Sequence, residues 1–169
     1  LLKERLHAMH VILAEDLETD SPVKPSGLTD CFAAEGIIVQ NAEQLIVDGE
    51  AVSSEAIRRK LLSGDVSGAA RMLGRNYTVC GTVVGGQRKG REIGFPTANI
   101  SFDDTHKLVP RRGVYATKAS VGGVDMHYAA MTNIGMRPTF NGDSMTVETH
   151  LFDFSEEIYG ETLHVSFIS

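Results

Sequence analysis

The sequence predicts two architectures in succession, a parallel α/β layer over residues 1–74 and a compact antiparallel barrel or sandwich over residues 75–169. Three observations carry this. Strand-like and helix-like runs alternate in the first part, as they do where crossover helices join parallel strands. From Tyr77 onward the chain turns to short runs rich in Val, Thr, Tyr and Phe, separated by turns with no long helix between them. The two textures meet at Gly74-Arg75, and no internal repeat or low-complexity tract crosses that point.

In the first part, Leu1, Leu2, Leu6 and Met9 recur at helical spacing and predict the end of an amphipathic helix. Val11 to Glu15 is a short apolar strand, and Asp20 to Gly27, with Pro22, Pro25, Ser21 and Ser26, is a loop. Leu28 to Gly36 predicts a helix stopped by its glycine, followed by the strand GIIVQ and a further short strand ending in a turn at Asp48-Gly49. Ser53 is an N-cap with Glu55 in the first turn and Ile57 and Leu61 as an apolar pair; Gly64 ends that helix. Asp65 caps a second one with Val66, Ala69, Ala70 and Leu73 inward and Gly74 as its stop. Ser53, Ser54 and Arg58 read as capping plus a solvated charge, or as an anion site at a helix N-terminus.

The second part holds the runs YTVCGTVV, GVYATKAS, VDMHYAAMTNI, TVETHLFDF and ETLHVSFI, with Gly122-Gly123 as a two-residue hairpin turn. Between the first two lies GTVVGGQRKGREIGFPTANI (Gly81 to Ile100). Its glycines Gly86, Gly90 and Gly94 would let backbone N–H groups approach a phosphate, and Arg88, Lys89 and Arg91 are nearby cations. Thr97 and Asn99, after Pro96, offer oxygen ligands for a hard cation such as Mg²⁺. Neither G-x-x-x-x-G-K-[ST] nor G-x-G-x-x-G is present, so a nucleotide loop and a plain turn both remain open here. Further on, alternation puts Val147, Thr149 and Leu151 on one face of a strand and Glu148, His150 and Phe152 on the other. Glu148 is either a solvent-facing strand residue or a general base held in a pocket. NIGMRPTF (Asn133 to Phe140) reads as a second Gly/Pro-punctuated turn with Asn133, Arg137 and Thr139 as its polar groups.

Composition is that of an ordinary soluble globular protein, with 42% apolar and 22% charged residues. A formal net charge of −6 argues against a general nucleic-acid binder, and no apolar run approaches the roughly 20 residues of a membrane helix. Cys31 and Cys80, far apart and outside any CxxC, are expected to be buried small residues in a reducing cytosol. The absence of Met at residue 1, and a last residue, Ser169, placed within a strand, lead to the expectation of a piece of a longer cytoplasmic protein.

The order GxVxxGxxxGRxIGFPTANI, RGVYA, NIGxRPTF, VETHLFDF and IYG resembles the riboflavin kinase domain of the prokaryotic bifunctional riboflavin kinase/FAD synthetase family. The resemblance runs over residues 75–169. Ser53-Ser54 with Ile57-Arg58, followed by Leu73 to Arg75, resembles the end of the FMN adenylyltransferase domain that precedes the kinase in that family. It implies a partial Rossmann-like nucleotidyltransferase segment over 1–74 and an antiparallel Greek-key β-barrel over 75–169. It also implies a kinase that makes FMN from riboflavin and ATP with Mg²⁺, both substrates being small molecules. By resemblance Gly86, Gly90, Gly94, Pro96, Thr97 and Asn99 hold the nucleotide, with Thr97 and Asn99 at the metal. Glu148 is the base, and Asn133, Arg137, Pro138 and Thr139 lie in the flavin-side motif.

The chain departs from the family in the first part. It has no HxGH-type motif, it reads Ala14-Glu15-Asp16-Leu17 where the family usually has GEDF, and Glu55 stands in place of a Thr. FAD synthesis is therefore expected only of an intact parent protein. A flavin- or nucleotide-binding module without turnover is the rival expectation, and it leaves Glu148 without a purpose.

Overall fold

The computed structural model of the chain describes residues 7–14, 25–85, 96–102, 107–123, 126–139 and 142–169. They form two compact units, Leu1–Val52 and Ser53–Ser169.

In the first unit, β1 (His10–Ala14) pairs in parallel with β2 (Ile38–Ala42), from His10↔Ile38 to Ala14↔Ala42. The helix α1 (Pro25–Ala34) lies between them in sequence, a β-α-β unit as alternation predicts. It begins three residues before the expected Leu28, because proline's fixed φ suits the first helical turn. The short strands β3 (Ile46–Val47) and β4 (Glu50–Ala51) pair antiparallel around Asp48 (φ 52°) and Gly49 (φ 78°), where two positive φ values make a tight hairpin. Residues 1–6, most of the helix expected at the start, fall outside the described residues; His7 to Met9 are not helical, and His7 has φ 50°.

The second unit opens with α2 (Ser54–Ser63) and α3 (Val66–Leu73). Ser53 Oγ accepts from the Ala56 N–H at 3.1 Å, and Asp65 Oδ1 accepts from the Gly68 N–H at 2.8 Å. Both predicted caps are in place, so the Ser53 oxygen serves its own helix. Gly64 takes the left-handed conformation (φ 92°) that ends α2. The face of α3 differs in detail from expectation: Met72, not Leu73, is fully buried beside Val66 and Ala69.

Six strands follow: β5 (Thr78–Val84), β6 (Ala98–Ser101), β7 (Gly113–Val121), β8 (Tyr128–Thr139), β9 (Gly142–Leu151) and β10 (Thr162–Phe167). All are antiparallel, and they close into a barrel in the order β5-β6-β9-β8-β7-β10. β7, β8 and β9 follow one another as a meander, while β6 lies beside β9, which is the Greek-key pattern. Val79, Val83, Ile134, Val147, Leu163, Val165 and Phe167 fill the interior, with the Tyr115 and Phe167 rings edge-to-face at 5.3 Å. Leu61, Val66 and Ala69 join that same core, and the Arg111 N–H donates to the Leu61 carbonyl at 3.0 Å. The helices before Gly74-Arg75 thus pack with the barrel. Local texture changes at residue 74, whereas the spatial division falls at Val52 and Ser53.

Several local expectations are corrected. β6 arises from ANIS, at the close of the glycine-rich stretch and outside the five strand runs expected from the sequence; four residues are too few for a periodicity to show. Asn133 to Thr139 is strand rather than turn, because β8 continues its pairing with β9 as far as Thr139↔Gly142. The connection at Gly122-Gly123 is longer than two residues, since β7 and β8 last pair at Ala119↔Tyr128. β10 ends at Phe167, before Ser169, whose carbonyl accepts from the Ala116 N–H at 2.9 Å. Cys31 and Cys80 are both exposed, Cys80 because its place in β5 points it out of the barrel. No described helix is long and apolar enough to cross a membrane.

Candidate active site

The alternation read in β9 holds. Val147, Thr149 and Leu151 are buried in the core, and Glu148 stands on the barrel's outer face. Register then decides which residues keep it company. Asn99 of β6 is the cross-strand partner of Glu148 on one side, and Asn133 of β8 is its partner on the other. Residues directly opposite in such pairs have Cβ atoms roughly 4.5–5.5 Å apart. Asn99, Glu148 and Asn133 therefore form one row across three adjacent strands. β5 extends the row through Val84↔Asn99, and β7 extends it through Val114↔Asn133.

Four residues after Asn133, on the same face of β8, Arg137 sends Nη2 to Glu148 Oε1 at 3.2 Å. The side chains of this ion pair are 38% and 28% exposed, so the carboxylate is half-sheltered and oriented yet open to a ligand. Between them in β8 sits Gly135, opposite Thr146. Beside this row is a cleft of about 430 Å³, lined among others by Asn99, Ser101, Phe102, Lys107, Arg137 and Thr146. Its cations, Lys107 and Arg137, suit an anionic ligand, and its hydroxyl and amide groups suit a polar one. Glu148 itself does not line the cleft but is tied to it through Arg137.

Thr97 and Pro96 are exposed at the entry to β6, and Asn99 is half-buried. Pro138 and Thr139 continue β8 beyond Arg137, paired with Asp143 and Gly142. Gly86, Gly90 and Gly94, with Arg88, Lys89 and Arg91, lie outside the described residues. The structure thus gathers Asn99, Glu148, Asn133 and Arg137 at one place. Sequence reading missed Lys107 and Thr146, because each is one polar residue in a run with no motif; only the folded cleft marks them. Among the described residues, no group of three or more His, Cys, Asp and Glu could hold a metal ion. Any cation here would rely on hydroxyl and amide oxygens and on its ligand's own oxygens, as Mg²⁺ commonly does with phosphates.

Comparison with known proteins agrees with this picture. The chain is 41% identical over 133 residues to a bifunctional riboflavin kinase/FMN adenylyltransferase of Haemophilus influenzae, covering 78% of this chain and 42% of that protein. It is 40% identical over 126 residues to the Bacillus subtilis protein of the same name (73% and 39%), and 36% identical over 164 residues to that of Listeria monocytogenes (95% and 51%). The chain spans about half the length, or less, of these relatives. Among solved structures, one titled as a macrolide-efflux protein from Streptococcus pneumoniae superposes with a TM-score of 0.74 at 33% identity, over 84% of this chain and 45% of that one. The family model for riboflavin kinase (flavokinase) matches residues 73–169, the whole barrel and more than half of the chain, and the protein belongs to that family.

Proposed function

We propose that the chain transfers the γ-phosphate of ATP to the ribityl 5′-hydroxyl of riboflavin, giving FMN and ADP. One observation carries this reading: Glu148 is held between Asn99 of β6 and Asn133 and Arg137 of β8 on a single outer face beside a cationic cleft. A nucleotide on the Asn99 side and a flavin on the Asn133–Arg137 side, with Pro138 and Thr139 next along the strand, would bring their reacting ends to Glu148.

In this scheme the Glu148 carboxylate accepts the proton of the 5′-hydroxyl as its oxygen bonds to the γ-phosphorus. The bond from that phosphorus to the bridging oxygen of ADP breaks, and ADP leaves with its electron pair. Thr97 and Asn99 would hold Mg²⁺, for which hard oxygen donors with room for waters and phosphate are suitable ligands. Bound with ATP, that ion neutralises charge on the phosphate oxygens. Arg137 fixes the direction of the Glu148 carboxylate, and Lys107 adds positive charge to the cleft. Gly86, Gly90, Gly94 and Pro96 complete the nucleotide side. Such chemistry asks for positioning and charge stabilisation more than for covalent participation.

We assign residues 1–74 to an FMN adenylyltransferase-like, Rossmann-type segment, a reading supported by the parallel β1-α1-β2 unit within it and by the names of the relatives. The adenylyltransferase activity in those names is not assigned to this chain, whose 169 residues contain no HxGH. The test is FMN formation by Glu148→Gln. Loss of a general base lowers turnover on the order of 10²- to 10⁴-fold. Turnover near that of the unaltered protein would refute the assignment.

A further inference from the structure

His150 lies two residues beyond Glu148 on the same outer face of β9, yet it is only 9% exposed. Its Nδ1 is 2.7 Å from the Pro96 carbonyl oxygen. A carbonyl can only accept, so Nδ1 carries the hydrogen and donates it. The neutral ring in that tautomer and the imidazolium both have this hydrogen, so the contact does not depend on the ring's charge. The Phe152 ring meets the imidazole edge-to-face at 5.2 Å and 84°, which fixes its plane.

The place of this bond in the ladder gives it meaning. β6 and β9 pair at Asn99↔Glu148 and Ala98↔Thr149, and the pairing goes no further toward Pro96. Proline has no N–H, so Pro96 can join a ladder only through its carbonyl. The His150 side chain supplies a bond beyond the end of the backbone pairing, from one position past Thr149 on β9 to two positions past Ala98 on β6. Thr97 sits between that bond and the last backbone pair.

We propose that His150 is a positioning residue for the nucleotide side of the site: its Nδ1–H holds the Pro96 carbonyl and thereby sets Thr97 and Asn99 against Glu148. This rests on the assignment of Thr97 and Asn99 to the MgATP side. In this role the imidazole acts through the Pro96 carbonyl and takes no proton in the reaction.

The experiment compares His150→Phe, which keeps a ring against Phe152 but has no donor, with His150→Asn, whose amide N–H can reach the same carbonyl. The phenylalanine variant is expected to raise KM for MgATP roughly 3- to 10-fold, the range for one lost hydrogen bond. KM for riboflavin stays unchanged, and the melting temperature falls by no more than the few degrees that one hydrogen bond accounts for. The asparagine variant restores KM for MgATP to within about twofold. Should the phenylalanine variant fail to fold, His150→Leu against His150→Asn makes the same comparison between side chains of the same branching. An unchanged KM for MgATP without the donor overturns the proposal, as does an equal rise in both KM values with lost thermal stability. Glu148→Gln, assayed alongside, separates the two readings. If it loses turnover while the donor-less variants behave as the unaltered protein, the His150 proposal alone falls. If Glu148→Gln turns over normally, the site assignment falls and the proposal with it.

Discussion

Beneath the row that holds Glu148, the barrel interior contains a short chain of hydroxyls, and replacing its middle member should be costly. Thr132 is fully buried; its Oγ1 lies 2.9 Å from Thr117 Oγ1 and 3.0 Å from Thr149 Oγ1. Thr132 and Thr149 pair across β8 and β9 at the register position next to Asn133↔Glu148, so the hydroxyls brace from inside the strands that carry the site outside. Thr132→Val keeps the shape and removes both bonds. At about 1 kcal/mol per hydrogen bond, the loss is about 2 kcal/mol, and more where Thr117 and Thr149 cannot find other partners. For a unit of this size that corresponds to roughly 6–10 °C in Tm. Thr132→Ser keeps the hydroxyl and removes one methyl, at about 1 kcal/mol. Replacing all three threonines by valine removes donors and acceptors together and should recover much of the loss. The chain has no Trp, so urea unfolding is best followed by circular dichroism, with an unchanged slope showing that the compactness of the two states is preserved. A single valine variant as stable as the serine variant, or a triple variant worse than the single by an additive sum, would refute the reasoning.

Gly81→Ala should damage both stability and turnover: a Cβ there would lie 2.4 Å from the Ser101 carbonyl oxygen and 2.7 Å from Ile100 Cγ2, so β5 and β6 must part and Asn99 moves. A destabilisation of roughly 1–3 kcal/mol is expected by urea unfolding, and an unaffected Cm would contradict it. Arg137→Ala should leave stability nearly unchanged, because partly exposed ion pairs contribute about 0–1 kcal/mol. FMN formation should fall by at least about tenfold, since Arg137 orients the Glu148 carboxylate; kinetics beside a melting curve decide between the two effects. Asp65→Ala removes the α3 cap at about 1 kcal/mol. The Gly68 N–H, opposed by desolvation and aided by Lys60, holds the Asp65 carboxyl below its ordinary value of 3.8. A depressed folded value means that its stabilisation is present above pH 3.8 and is lost as pH falls through 3.8 toward the folded value. The gap in Cm between the unaltered protein and the alanine variant should therefore narrow in acid; a gap that widens there would contradict this sign.

What could be read from the sequence is what rests on neighbours along the chain. The caps at Ser53 and Asp65 and the stop at Gly64 each need a few consecutive residues, so local chemistry determined them. The alternation of Val147, Glu148 and Thr149 likewise settled which face Glu148 takes, because strand side chains point to opposite sides in turn. The unusual run ending in PTAN, with VETH far downstream, determined the family. Tertiary structure alone decided the rest. That Asn99 stands on one side of Glu148 and Asn133 on the other is a matter of register between β6, β9 and β8, which no single segment contains. NIGMRPT reads as a turn in isolation because Gly and Pro disfavour strands, yet the ladder to β9 holds it extended and so brings Arg137 to Glu148. Lys107 in the cleft and the His150 bond to Pro96 join residues distant in sequence and became visible only once the barrel closed.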